Sequence, residues 1–212
     1  MNADPVLAID EAVAWIRSGG LVAYPTETLW GLGADATSAA ALERLRRWKG
    51  RRADAPLSIL VDGPEALAGL GIELGDAGRR LAEVFWPGPL TLVLPAAGGF
   101  APGVARADGA VGVRCSSHPR AAALARRLRR EAAGPVTATS LNASGEPPAR
   151  DRREAERCGR RGPDAPRLLD GEAGGAPASS VVDLCGAEPR LLRSGAVGEA
   201  ELRAVVAGIR AA

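Results

Sequence analysis

The stretch LVAYPTETLWGLGADATSAAALERLRRWKGRR, residues 21–52, carries the alternation on which the fold turns. LVAYP (21–25) is a short apolar run closed by proline, the mark of a buried strand. A polar cluster follows. Thr26, Glu27 and Thr28 supply hydroxyls and a carboxylate, and Gly31 and Gly33 let the backbone turn closely. Thr37 or Ser38 then caps a helix, SAAALERLRRWK, with Gly50 as its C-terminal stop.

The same alternation continues outward. Upstream, Asp10 is the expected cap of a helix running to Ser18 and stopped by Gly19-Gly20. Downstream, LSILV (57–61), LTLVLP (90–95), VGVRC (111–115), PVTATS (135–140), SSVVDL (179–184) and RLLR (190–193) read as strands. Helical signals cover 64–70, 76–85, a segment opened by Pro119 and closed by Gly134, and 198–210. Residues 143–177, rich in Gly, Pro and Arg, read as an irregular loop with a short helix inside. Strands alternating with helices predict an α/β fold. No repeat and no linker divides the chain, so one domain over residues 5–210 is expected.

Composition excludes several classes. Hydrophobic residues make up 46% of the 212, but no apolar run approaches the ~18–20 residues of a membrane span. The N-terminus has acids before its apolar stretch and lacks the basic start of a signal peptide, so a cytoplasmic protein is expected. Cys115, Cys158 and Cys185 form no CxxC, which supports neither a disulfide framework nor a zinc site. His118 is the only histidine, and no GxSxG elbow accompanies it. The net charge is only +2, but arginines cluster at 126–130 and 150–161, either as solvated faces or as contacts to phosphates or RNA. Of 27 basic residues only Lys49 is lysine. The abundance of Ala, Gly and Arg, with no glutamine, fits a G+C-rich coding bias that makes lysine rare.

In open α/β sheets ligands bind beyond strand ends, and several polar clusters lie there. Lys49 is in the last turn of a helix and Arg51 lies beyond Gly50, which can reverse the chain so that both cations converge on a polyphosphate. Equally, cations at a helix C-terminus suit its dipole. In TATSLNASGE (137–146), an extended chain puts Ser140 and Asn142 on one face, where a hydroxyl and an amide suit phosphate oxygens or an adenine edge. An ordinary strand-to-turn passage has the same residues. Arg114 stands in an apolar strand, where an unpaired guanidinium is costly, so it is expected to face a partner or ligand. Ser179 and Arg193 border other strands. No Walker A sequence is present.

Taken in order, YPTETLWGLGADA, WKGRRADAPLSILV, WPGPLTLVLP, VGVRCSSHP, TATSLNASGEPP, SSVVDL and LLRSGAV resemble the threonylcarbamoyl-AMP synthase family, the YrdC-like proteins, across roughly residues 10–210. The resemblance implies a single domain with a twisted mixed sheet, flanked by helices, around an open basic cavity. It implies that L-threonine, bicarbonate or CO2, and ATP become threonylcarbamoyl-AMP and pyrophosphate, which other proteins use to modify tRNA. Mg2+ would arrive with ATP, with no metal site on the protein. By the resemblance, Lys49, Arg51, Ser140 and Asn142 line the phosphate and carbamate region. Thr28, Arg114, Ser140 and Ser179 hold threonine, with Arg114 the natural partner of its carboxylate. Lys49, Arg51, Asn142, Arg150 and Arg193 lie on the ATP side, with backbone around Ala110 contributing.

The chain departs from the family pattern at Trp30, where tyrosine is usual, at Ala55, commonly polar, at Leu60, histidine in some members, and at Arg150, commonly threonine. It resembles the family's short form. The competing expectation is an RNA-binding protein of the same fold without synthase activity, using the arginine clusters; within the enzyme reading, weak RNA contact is expected at most. A carbamoyl-phosphate-using enzyme is a third expectation, opposed by the missing companion domains.

Overall fold

The computed structural model describes residues 6–52 and 55–211. Helix α1 (Ile9–Arg17) leads into a hairpin of β1 (Val22–Pro25) and β2 (Trp30–Gly33), then α2 (Ala39–Lys49) and β3 (Ile59–Val61). Two single 3-10 turns, Pro64–Ala66 and Ala68–Leu70, precede α3 (Gly75–Phe85), β4 (Leu90–Pro95), β5 (Ala110–Cys115) and α4 (Pro119–Arg130). After β6 (Val136–Thr137) and β7 (Thr139–Ser140) come α5 (Arg152–Cys158), β8 (Arg167–Leu168), β9 (Ser180–Asp183), β10 (Arg190–Arg193), α6 (Glu199–Val205) and β11 (Arg210–Ala211). No helix among the described residues is long and apolar enough to cross a membrane.

The α/β class holds, but the expected single sheet is two. A four-stranded sheet runs β7-β2-β1-β8 and a seven-stranded sheet runs β11-β10-β9-β4-β5-β3-β6, both mixing parallel and antiparallel pairs. The expected strand PVTATS is where the chain changes sheets. Thr137 pairs with Ile59 of β3, whereas Thr139 and Ser140 pair with Leu32 and Gly31 of β2. The crossing is pinned by Thr137, whose hydroxyl accepts the Ala34 N–H at 3.0 Å and whose carbonyl accepts Tyr24 Oη at 2.9 Å. Gly33 is required at this approach, since a Cβ there would stand 2.3 Å from Val136 Cγ2.

Several local expectations are corrected. Asp10 does not cap α1. The Ala8 N–H is taken by the Glu11 carboxylate at 2.8 Å, and Asp10 instead accepts from Arg127 Nε at 2.8 Å. Ser38 caps α2 by accepting the Ala41 N–H, while Thr37 bonds Asp35. Gly50 ends α2 in the left-handed conformation, as expected. Helix α4 stops before Gly134, with Ala132 taking the positive φ of 50°. WGLG, read as part of a polar turn, is strand β2, because its backbone groups pair on both sides. The final segment is a shorter helix followed by β11.

Strand β3 divides the core by its two-residue period. Ile59 and Val61 enter the large cluster that joins both sheets, α2 and α3, while Leu60 enters the smaller cluster with α1 and α4. Side chains such as Trp30, Leu42, Leu45, Leu92 and Leu124 are fully buried, each contributing roughly 1.5–3 kcal/mol of transfer free energy. Two rigid sheets packed this way hold the ends of β1, β4, β5, β7 and β9 around one opening.

Candidate functional site

That opening is a cavity of about 310 Å³ whose wall includes Thr28, Arg51, Arg114, Ser140, Ser179 and Arg193. Six of the expected site residues, from six separate stretches of sequence and both sheets, thus meet. The volume is at the small end for metabolite sites.

At one end, the Thr26–Leu29 turn presents a relay of hydroxyls. Thr26 Oγ1 donates to the Leu29 carbonyl at 2.6 Å, so in its 2.9 Å contact with Thr28 the Thr28 hydroxyl is the donor. Thr28 Oγ1 in turn accepts from Arg114 Nη2 at 2.7 Å. The same Nη2 lies 2.9 Å from Glu27 Oε1. The Arg114 guanidinium holds the Glu27 carboxyl below its ordinary range although burial pushes the other way.

Further along the seven-stranded sheet, Arg193 Nε donates to the Ser179 carbonyl at 2.9 Å and Nη2 to Ser179 Oγ at 3.0 Å. Thr91 Oγ1 lies 3.0 Å from the same hydroxyl. A register shift between Leu191 and Arg193 in β10 accompanies this placement, as bulges re-aim side chains. Burial and nearby Arg114 both lower the Arg193 pKa, and burial with Arg46 lowers that of Arg51. An anion entering here would relieve repulsion already present among the cations.

The structure places Lys49 otherwise than expected. It does not converge with Arg51 on the cavity and is absent from its wall. Instead it is buried, 3% exposed, behind the Ser140–Asn142 turn. Its Nζ donates to the Ser140 carbonyl at 2.5 Å, the Asn142 carbonyl at 2.9 Å and Asn142 Oδ1 at 3.1 Å. An ammonium has three protons, and here three acceptors take them. Ser140 Oγ adds a 2.6 Å bond to Asn142 Oδ1, and Asn142 Nδ2 donates to the Glu146 carbonyl at 2.7 Å. Lys49 and Asn142 therefore hold the turn that presents Ser140. Arg51 reaches the cavity alone, its Nη2 on the Pro56 carbonyl at 2.9 Å.

Burial, with Arg51 close by, pushes the Lys49 pKa down to about 8 from its ordinary 10.5. The folded chain therefore sheds this proton before the unfolded chain does. The cost of the buried ammonium is fully present below pH 8 and is relieved as pH rises from about 8 to 10.5. Wild type is expected to gain thermal stability relative to Lys49→Met across that window, checked by Tm measured below and above it.

Two other expected contributors lie off the cavity wall. Arg150 is exposed ahead of α5, its N–H bonded to Glu154 Oε2 at 2.8 Å, and it is not part of the cavity wall. The Ala110 backbone is spent on Asp108 and Arg106. Trp30 and Leu60, two of the departures, do line the cavity, whereas Ala55 does not.

Sequence reasoning passed over Ser58, Thr91 and Thr139, which also line it. Thr91 carried a signal: it interrupts an apolar strand and sits opposite Arg114 in the β4–β5 ladder. Among the described residues no group of three or more His, Cys, Asp or Glu could hold a metal ion.

Four buried side-chain atoms among the described residues lack a partner, and three of them, Trp30 Nε1, Arg51 Nε and Arg114 Nε, belong to residues of the cavity wall. All are N–H donors, and an unpartnered buried donor costs about 1–3 kcal/mol. The fold and site thus define a class: a two-sheet α/β protein whose cavity, rich in hydroxyls and guanidinium groups, suits an anionic, acceptor-rich ligand.

The family profile Sua5_yciO_yrdC, described as "Telomere recombination", matches residues 14–195, and the chain belongs to that family. It is 39% identical over 178 residues to the threonylcarbamoyl-AMP synthase of Stenotrophomonas maltophilia, covering 80% of this chain and 89% of the relative. It is 38% identical over 207 residues to the synthase of Pyrococcus abyssi, covering 94% of this chain and 57% of that one. The crystal structure of P. abyssi Sua5 complexed with L-threonine superposes with a TM-score of 0.86 at 36% identity, covering 96% of this chain but only 58% of the archaeal chain.

Proposed function

We propose that this protein is an L-threonylcarbamoyladenylate synthase, a nucleotidyltransferase that makes threonylcarbamoyl-AMP and pyrophosphate from L-threonine, bicarbonate or CO2, and ATP. The observation that carries the reading is the convergence of Arg51, Arg114 and Arg193 with the hydroxyls of Thr28, Ser140 and Ser179 on one cavity. The resemblance of the whole chain to synthases supports it.

In this reading the threonine nitrogen adds to CO2 and loses a proton, giving a carbamate. A carbamate oxygen then attacks the α-phosphorus of ATP, and the bond to the β-phosphate oxygen breaks to release pyrophosphate. Both reacting partners are anions, so the reaction needs positioned cations and dipoles more than a covalent nucleophile. Arg114 takes the threonine carboxylate, with Thr28 and Ser179 supplying neighbouring hydroxyls. Arg51 and Arg193 take the phosphate side, and Ser140 stands between. Lys49 and Asn142 act through the turn they hold.

Mg2+ comes as MgATP, neutralising phosphate charge. The product would pass, in the cytoplasm, to proteins that transfer the threonylcarbamoyl group to tRNA.

Threonine-dependent release of pyrophosphate from ATP and bicarbonate, with threonylcarbamoyl-AMP identified by mass, tests the proposal; production of neither defeats it. Charge pairing occupies part of the basic clusters that the RNA-binding alternative would use. Arg127, Arg129, Arg152 and Arg161 of the basic clusters are each tied to acids: Asp10 and Glu131, Asp62, Glu156 and Asp170, and Glu146, respectively.

A further inference from the structure

Glu27 is bonded to Arg114 at the expected threonine end of the cavity, yet it is not on the wall. It stands behind Arg114. Its Oε1 takes Arg114 Nη2 at 2.9 Å, and its Oε2 takes the Ser116 hydroxyl. Arg114 and Ser116 belong to β5 and its end in the seven-stranded sheet, whereas Glu27 lies on the β1–β2 turn of the four-stranded sheet. One carboxylate therefore ties the two walls together at the guanidinium.

The ion pair is shielded, with the Arg114 and Glu27 side chains 12% and 17% exposed. The turn is braced from outside as well. The Gly174 N–H donates to the Thr26 carbonyl at 2.9 Å, and a Cβ on Gly174 would stand 2.4 Å from the Glu27 carbonyl oxygen, so the 171–178 segment lies directly against this residue.

The pairing has two chemical consequences. With Nη2 committed to Glu27 and Thr28, the guanidinium cannot rotate freely, and its buried Nε keeps an unspent donor. The charge at this end is also trimmed. Here the Glu27 carboxylate offsets the Arg114 guanidinium, so the uncompensated positive charge of the wall rests with Arg51 and Arg193 on the phosphate side.

We propose that Glu27 is a positioning residue for the threonine carboxylate: it orients Arg114 and balances its charge without touching the substrate. The inference rests on the threonine reading above. A lost charge-assisted bond to Arg114 is expected to raise the threonine KM of Glu27→Gln about tenfold or more, while the ATP KM stays within about twofold. Glu27→Asp, which keeps the charge on a shorter stem, is expected to fall between Glu27→Gln and wild type. Calorimetric threonine binding without nucleotide should follow the same order.

A merely structural Glu27 would depress Tm and both substrates' kinetics together, and that result overturns the proposal. Equal threonine affinity in wild type and Glu27→Gln overturns it alone. Wild-type protein that binds no threonine overturns both this inference and the reading beneath it.

Discussion

Arg114→Ala is expected to lower kcat/KM for threonine by about two to three orders of magnitude, the largest loss at this site. The guanidinium is the pivot of its end of the cavity, bonded to Thr28 at 2.7 Å and Glu27 at 2.9 Å, with Nε buried and unpartnered. Removal deletes the carboxylate's partner and leaves Glu27 as a buried charge without its cation, a loss on the order of 3 kcal/mol in stability. The two effects separate in the double variant Arg114→Ala/Glu27→Gln. Tm should recover, since no orphan charge remains, but threonine use should not. Steady-state kinetics with threonine and ATP varied in turn, beside thermal melts, check this. Near-normal threonine KM in the single variant would remove Arg114 from the substrate.

Lys49→Arg is expected to cost about tenfold to a hundredfold in kcat/KM for ATP, although the charge is kept. Nζ sits in a pocket made by the Ser140 carbonyl, the Asn142 carbonyl and Asn142 Oδ1, all within 3.1 Å. That pocket fits a compact ammonium. A planar fork is larger, and overfilling a packed site costs typically 1–3 kcal/mol or displaces its lining. Here the lining is the turn that presents Ser140, so the displacement reaches the cavity. Full activity would show that the turn holds its shape without Lys49. The two variants act on different parts of the wall, Arg114 directly and Lys49 through the turn that presents Ser140.

Much of this was legible in one dimension. The ends of α2 were readable because Ser38 and Gly50 act on neighbours within one helical turn. β4 matched LTLVLP residue for residue, because an apolar run bounded by Pro-Gly-Pro and Pro has few other conformations. Arg114 stood out because a guanidinium in a buried strand must find a partner, and it found Glu27 and Thr28. Trp30–Gly33 was misjudged as turn because glycines mark turns and strands alike when another backbone approaches closely, as Val136 approaches Gly33.

Local sequence set the alternation of helices and strands, the caps that bound α2, the proline that opens α4, and the chemical inventory of the cavity. These follow from interactions among residues a few positions apart. The tertiary structure alone decided how that inventory was spent. It split one expected strand between two sheets around Ala138, because β6 and β7 found different partners. It turned Lys49 away from the ligand and onto carbonyls 91 and 93 residues later in the chain, a choice no local spacing encodes. It also set Glu27 against an arginine 87 residues away, where long-range packing fixes both the orientation and the charge that a substrate would meet.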